Sequence, residues 1–146
     1  MPFDPSPPQI ACADGAHNDA SRYCGGDRAA VLIAPALGVP RRFYQPFAQF
    51  LAGEGYDVLS IDYRGIGESG RDCDAALIRL ADWGCLDIDA ALRWLRENSR
   101  AQRRGLVGHS LGGLVAARFV ARKVMPVEYR RALQEMERLR MGIAAE

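Results

Sequence analysis

Histidine and lysine are scarce in this sequence. The 146 residues include two histidines and a single lysine, Lys123, so nearly all of the 19 basic side chains are arginines. The 18 acidic side chains balance them, which leaves a formal net charge of +1 at pH 7. Such a charge gives no electrostatic basis for binding nucleic acid or an anionic membrane surface. With few histidines, and four cysteines that form no C-x-x-C pair, the sequence predicts neither a zinc site nor any other cofactor.

Long apolar runs are also missing. No stretch approaches the ~18 apolar residues of a membrane span, and residues 1–8 lack the basic and then apolar pattern of a signal peptide. We therefore expect a cytoplasmic protein with free thiols and no membrane partner. The composition, 49% hydrophobic and 25% charged, is that of an ordinary globular chain of one domain.

Apolar runs of strand length alternate with segments of helical periodicity, which predicts an α/β fold with parallel strands. The runs are continuously apolar, as is typical of strands that are covered on both faces. Strands are predicted at 29–36, 56–63 and 104–109. Helices are predicted at 41–54, at 82–98 with Asp82 as the N-cap, and at 111–123.

The chain is predicted to consist of three parts: a lead-in, one domain and a C-terminal helix. Residues 1–8 are predicted to be an irregular lead-in to a domain that spans 9–124. The domain begins with a predicted β-hairpin, because Asp14-Gly15 favours the positive-φ turn of a two-residue hairpin loop. Residues 125–146 are predicted to form one amphipathic C-terminal helix.

A reactive-serine motif lies between a predicted strand and a predicted helix. It reads Gly108-His109-Ser110-Leu111-Gly112 and is followed by Gly113. A sharp turn at this point would raise the serine hydroxyl clear of the sheet, and the glycines would remove side chains that collide. The N-terminal N–H groups of the next helix would face a developing oxyanion. The alternative is a glycine-rich turn without chemistry.

Two further segments accompany this motif. Ala34-Pro35-Ala36-Leu37-Gly38 follows one predicted strand, and the sequence DYRGIGES at 62–69 follows the next. With these segments at this spacing, residues 14–123 resemble the N-terminal half of an α/β-hydrolase, of the bacterial esterase and lipase-like kind related to the serine aminopeptidases. The resemblance implies a truncated α/β-hydrolase fold: a mostly parallel sheet with an N-terminal hairpin and flanking helices.

The resemblance also implies a role for individual residues. Ser110 would be the catalytic nucleophile, and the backbone N–H groups of Leu111 and Leu37 would form the oxyanion hole. The elbow around the nucleophile would consist of Gly108, His109, Gly112 and Gly113. Asp62 and Arg64 would hold the loop above the second strand and take no part in catalysis.

The catalytic base is the part of the family pattern that these residues do not supply. In this fold the acid and the histidine follow the serine in the chain, but none of the 36 residues after Ser110 is a histidine. His109 is expected to point away from Ser110, and His17 would lie three strand steps away, roughly 14 Å at ~4.8 Å each. The interpretations left open are an interrupted reading of a longer gene, a deliberately shortened chain, and a reduced relative with another role.

Three functions remain open at this point. The first is a serine hydrolase that acts on a small ester, thioester or amide as its acyl substrate. The second is a non-catalytic fragment or interaction module that retains the elbow, and the third is an acyltransferase, which uses the same elbow. If the strand at 105–109 has a bare outer edge, we expect self-association through it, or its coverage by the helix at 125–146.

Two groups of side chains are given structural roles. The aromatic cluster of Phe43, Tyr44, Phe47 and Phe50 is predicted to pack against the core instead of forming an acyl pocket. Asp87 and Asp89 are assigned to the exposed face of their helix.

Overall fold

The computed structural model describes residues 7–70, 73–124, 134–136 and 138. The strands are β1 Gln9–Ala11, β2 His17–Cys24, β3 Ala30–Ala34, β4 Asp57–Ile61 and β5 Arg104–Gly108. They form a five-stranded sheet with the order β1-β2-β4-β3-β5, in which β3 pairs in parallel with both β4 and β5. β1 and β2 form an antiparallel hairpin, and β2 pairs antiparallel with β4. The predicted α/β fold with an N-terminal hairpin is confirmed.

Helices cover both faces of the sheet. The α-helices are α1 Gln45–Gly53, α2 Leu80–Asp82, α3 Asp89–Asn98 and α4 Leu111–Val124; 3-10 turns lie at Arg41–Tyr44, Gly67–Gly70 and Ala75–Leu77, and a π turn at Trp83–Ile88. On one face of the sheet lies α1, which continues from the first 3-10 turn; α3 and α4 lie on the other. Alternate residues of β3 therefore point to opposite layers, Leu32 towards α3 and Ile33 towards α1. Each such side chain contributes about 1.5–3 kcal/mol when it is fully buried, which explains why the run is continuously apolar.

The hairpin is present, but its turn is not the predicted two-residue turn. The N–H of Gly15 donates to the Cys12 carbonyl at 3.1 Å, and the N–H of Cys12 donates to the Ala16 carbonyl at 2.8 Å. Ala13 and Asp14 are thus the central residues, and Gly15 follows them with φ +87°. This is the three-residue loop that ends in a left-handed residue. The Asp14 carboxylate favours it by accepting a hydrogen bond from the Ala16 N–H at 3.3 Å.

The helix that was predicted to start at Asp82 begins two residues earlier. Asp82 lies in the first turn, where its carboxylate accepts a hydrogen bond from the Arg79 N–H at 3.0 Å, so it is not the N-cap. The π turn that follows holds an additional residue per turn and shifts the faces of the helix. Asp87 is therefore fully buried, and its assignment to the exposed face is wrong.

β5 has one sheet neighbour, β3, among the described residues. All of β3 and β4 is buried, whereas every residue of β5 except Leu106 is exposed. An unpaired strand edge is a surface on which another strand can pair. The self-association expected from the sequence stays a prediction.

The predictions for the chain ends fall mostly outside the described residues. Of the lead-in at 1–8, only residues 7 and 8 are described, and both are irregular. Of the C-terminal helix at 125–146, residues 134–136 and 138 are described, and they are helical. Among the described residues, no helix combines the length and the apolar character needed to span a bilayer.

Candidate active site

Ser110 occupies a sharp turn between the end of β5 and the start of α4. Its φ is +54°, and it is the one non-glycine residue with a positive φ in the described part of the chain. This left-handed conformation costs an L-residue about 1–2 kcal/mol. Two hydrogen bonds hold the turn, from the Gly112 N–H to the His109 carbonyl and from the Gly113 N–H to the Ser110 carbonyl, each at 3.0 Å. Ser110 is exposed, so its hydroxyl is open to a substrate.

The glycines of the elbow allow three backbone segments to meet. A Cβ on Gly108 would lie 2.4 Å from the Cα of Gly113, in the first turn of α4. A Cβ on Gly112 would lie 2.2 Å from the carbonyl oxygen of Ala34, at the end of β3. Real Cβ atoms do not approach backbone this closely, so the strand end, the helix start and the end of β3 pack together only around glycine.

Several backbone amides at this turn and in the loop after β3 donate to no acceptor among the described residues. β5 pairs with β3 up to Gly108 and Ala34, and the His109 N–H continues that ladder by donating to the Ala34 carbonyl at 3.1 Å. The loop after β3 is therefore held against the elbow. Within the described residues, the N–H groups of Leu37 in that loop and of Leu111 at the start of α4 donate to no protein acceptor. Both are available to an anion.

A tyrosine that the motifs do not include connects this loop with the elbow. The Tyr44 hydroxyl accepts a hydrogen bond from the Ala36 N–H at 2.8 Å and lies 3.0 Å from Nδ1 of His109. The two rings are also in edge contact, with their centroids 5.9 Å apart. Sequence reasoning assigned Tyr44 to packing alone, and the sequence offers no signal of this contact beyond an aromatic residue in the following helix.

Comparison with known proteins decides the family. Residues 25–132 match the family described as serine aminopeptidase, S33, and this range includes all three segments on which the resemblance was based. The chain belongs to the serine aminopeptidase S33 family.

Relatives of this S33 chain include hydrolases. One relative, from Variovorax paradoxus, is named RutD and is described as a proposed carbamate hydrolase. It is 34% identical to this chain over 89 residues, which cover 61% of this chain and 31% of that protein. The Pyrococcus furiosus esterase Pf2001 matches with a TM-score of 0.67 at 29% identity, over 80% of this chain and 46% of the esterase.

A more distant structure shows the fold alone. XC6422 of Xanthomonas campestris, described as an a/b serine hydrolase without lid, matches with a TM-score of 0.63 at 18% identity, over 86% of this chain and 59% of that one. This S33 chain thus spans less than two thirds of the length of each of the three proteins. Together the comparisons confirm an α/β-hydrolase fold of which these residues form the N-terminal part.

Neither histidine of the S33 chain is placed to act as a base for Ser110. The His109 ring is directed to Tyr44. His17 begins β2, and the strand order places β4 and β3 between β2 and β5. The strand order therefore gives the three strand steps expected from the sequence, roughly 14 Å at ~4.8 Å each.

Asp62 anchors the loop after β4. Its buried carboxylate accepts hydrogen bonds from the backbone N–H of Arg41 at 2.7 Å and of Glu68 at 3.2 Å, and it forms an ion pair with the Arg41 guanidinium. The Ser69 hydroxyl donates to the Asp62 carbonyl at 2.9 Å. These contacts agree with the structural role that the sequence predicts for Asp62.

Arg64 ties the same loop to the hairpin and to the π turn. Its guanidinium donates to the carboxylates of Asp87 at 2.8 Å and Asp14 at 2.6 Å, and its backbone N–H also donates to Asp87, at 2.9 Å. Burial raises the pKa of Asp87, while the hydrogen bonds from Arg64 oppose that shift. Burial, with the neighbouring Asp87 carboxylate, also raises the pKa of the Cys12 thiol to about 12. Sequence reasoning missed Asp87 as the partner of Arg64.

The aromatic cluster is divided between the core and the surface. Tyr44 is buried, but Phe43 is 65% exposed and Phe50 is 61% exposed. The prediction that the whole cluster packs against the core is therefore wrong. The reason is the helical period, because the buried face of this segment continues from Tyr44 through Ala48 and Ala52 and places the phenylalanines on the other side.

Proposed function

We propose that this S33 chain carries the nucleophile of a serine hydrolase that cleaves a small ester, thioester or amide. The observation that carries the proposal is the geometry of Ser110, an exposed serine in the left-handed region between a strand and a helix. The free amides of Leu37 and Leu111 support it. An esterase among the structural relatives favours ester cleavage within this class.

In the proposed reaction the Ser110 oxygen attacks the substrate carbonyl carbon. The carbonyl oxygen becomes an oxyanion, which would accept hydrogen bonds from the N–H groups of Leu37 and Leu111. One donor of this kind is worth about 10²–10³ in kcat in a known serine hydrolase. Collapse of the tetrahedral intermediate expels the alcohol, thiol or amine and leaves an acyl-serine, which water then hydrolyses.

The attack requires a base, because a neutral serine hydroxyl is a weak nucleophile. The base accepts the hydroxyl proton and returns it to the leaving group. Since neither His17 nor His109 is placed to do this, the proposal takes the base from outside these 146 residues. The second candidate function, a non-catalytic chain that retains the elbow, rests on the same placement of the two histidines.

A fluorophosphonate, which reacts with activated serines, distinguishes the two candidates. Since the proposal takes the base from outside these residues, we expect the folded chain to form a single adduct when imidazole, a small external base, is added, at a rate that rises with its concentration because Ser110 is exposed. The Ser110→Ala chain should form no adduct under the same conditions. The measurement is intact mass against time at several imidazole concentrations. A folded chain that stays unlabelled at every concentration would establish the non-catalytic candidate.

A further inference from the structure

We propose that Tyr44 is a positioning residue that sets the geometry of the oxyanion hole. This inference rests on the proposed function of Ser110 and adds a residue that lies outside all three motifs. Tyr44 ends the 3-10 turn that leads into α1, and it is 7% exposed. Its hydroxyl forms hydrogen bonds with both the loop after β3 and the elbow.

Each of its two partners is adjacent to a reacting group. Ala36, whose N–H donates to the hydroxyl at 2.8 Å, directly precedes Leu37 in the chain. His109, whose Nδ1 lies 3.0 Å from the hydroxyl, directly precedes Ser110. A single oxygen atom thus connects the segment with one proposed oxyanion donor to the segment with the nucleophile and the other donor, in addition to the backbone bond from the His109 N–H to the Ala34 carbonyl.

The hydroxyl can serve both partners at once, because it has two lone pairs and one proton. The oxygen accepts from the Ala36 N–H at 2.8 Å, and it bonds to Nδ1 of His109 at 3.0 Å, as donor or acceptor according to the tautomer of the ring. The same arrangement occupies the Ala36 amide, whereas the next amide of this loop, that of Leu37, donates to no acceptor among the described residues.

An oxyanion hole tolerates only small changes in the positions of its donors, so a contact that holds these positions affects the rate. Donors are effective when they lie roughly 2.7–3.1 Å from the position that the oxyanion takes. Without the hydroxyl, the Ala36 N–H would be buried without an acceptor, so the loop would move to find one. Such a movement would carry Leu37 away from Leu111 while the Ser110 turn stays in place.

Tyr44→Phe tests this, because it removes the hydroxyl and keeps the ring. Tyr63→Phe is the matched control, since Tyr63 is also buried and its hydroxyl has no hydrogen-bond partner among the described residues. We expect Tyr44→Phe to lower the maximal rate of fluorophosphonate labelling of Ser110 by about tenfold or more, up to the roughly 10²–10³ that the loss of one whole donor costs in kcat. The probe concentration at half-maximal rate should not change. Tyr63→Phe should label like the wild type.

Amide hydrogen exchange and imidazole ¹⁵N shifts add two readouts that need no labelling. In Tyr44→Phe the Ala36 amide should exchange faster, and the ¹⁵N shift of His109 Nδ1 should change because its hydrogen-bond partner is lost. Unchanged Ala36 exchange, or an unchanged Nδ1 shift, overturns the inference.

The labelling outcomes separate this inference from the proposed function. A labelled wild type with equal rates in both variants overturns the role of Tyr44 and leaves the proposed function in place. A wild type that is never labelled overturns both.

Discussion

Replacing Arg64 with methionine is expected to lower the free energy of unfolding by about 3–5 kcal/mol, as the loss of one partner of a buried ion pair usually does. The Arg64 guanidinium donates to the carboxylates of Asp87 and Asp14, and Asp87 is completely buried. Methionine fills most of the same volume but leaves the Asp87 carboxylate in the core without a countercharge. Urea denaturation at pH 7 measures the loss.

The loss of unfolding free energy in Arg64→Met should depend on pH. Burial already raises the pKa of Asp87 in the folded chain, and removal of Arg64 should raise it further. The pKa of an aspartate in the unfolded chain is about 3.9. The folded variant therefore binds a proton at a higher pH than the unfolded chain does. The loss of unfolding free energy is therefore fully present above the raised pKa of Asp87, and it shrinks as the pH falls through that pKa.

Two controls separate burial of the ion pair from the loss of an arginine. The Arg79 side chain is 81% exposed and lies 3.4 Å from Asp82, so Arg79→Met should change the unfolding free energy by no more than about 0.5 kcal/mol. The double variant Arg64→Met/Asp87→Asn removes both charges and keeps a side-chain oxygen that can accept from the N–H of residue 64, so it should recover most of the stability. Equal effects of Arg64→Met and Arg79→Met would contradict this account of the cluster.

Gly112→Ala is expected to destabilise the chain by about 1–3 kcal/mol, as overpacked core substitutions do, and to abolish fluorophosphonate labelling of Ser110. The new methyl group would lie 2.2 Å from the Ala34 carbonyl oxygen and 2.4 Å from that of Pro35. Both atoms belong to backbone, so no side-chain rotation relieves the contact. The start of α4 must move away from β3, which separates the Leu111 amide from the loop with Leu37.

Gly105→Ala is the matched control in the neighbouring strand. A Cβ at Gly105 would meet its nearest atom, a methyl carbon of Val31, at 4.0 Å, which is ordinary contact. We expect the free energy of unfolding to stay the same or rise slightly, because alanine has less conformational freedom in the unfolded chain. Thermal unfolding and intact-mass labelling of both variants give the comparison. A Gly112→Ala chain that labels like Gly105→Ala would show that the elbow tolerates the methyl group.

Apolar runs and one turn motif were sufficient to predict the sheet and the elbow. The runs record burial on both faces, and the left-handed conformation at Ser110 follows from a strand and a helix that meet within two residues. The predictions that failed depend on contacts between distant residues. The π turn that buries Asp87 leaves no mark on the helical period, and its partner Arg64 lies 23 residues earlier in the chain.

The Tyr44 contact illustrates the same limit at the site itself. Its partners Ala36 and His109 lie 8 and 65 residues away in the chain. The sequence alone contains neither the approach of β3 to β5 nor the rotation of the helix that turns Tyr44 inwards. An aromatic cluster predicts apolar packing, but which ring carries a functional hydroxyl becomes visible only when the strands are paired.

The left-handed backbone at Ser110 sets stability against reactivity at a single position. Glycine adopts this conformation without the steric penalty of a Cβ, whereas serine and alanine both carry it. Ser110→Gly would relieve about 1–2 kcal/mol of backbone strain in the folded chain. The greater conformational freedom of glycine in the unfolded chain would offset about 0.5–1 kcal/mol of this gain in stability. Ser110→Ala would keep the strain and lose only the hydroxyl. Glycine would thus relax this turn, but glycine has no side chain that could react. Stability alone therefore does not account for a serine at this position.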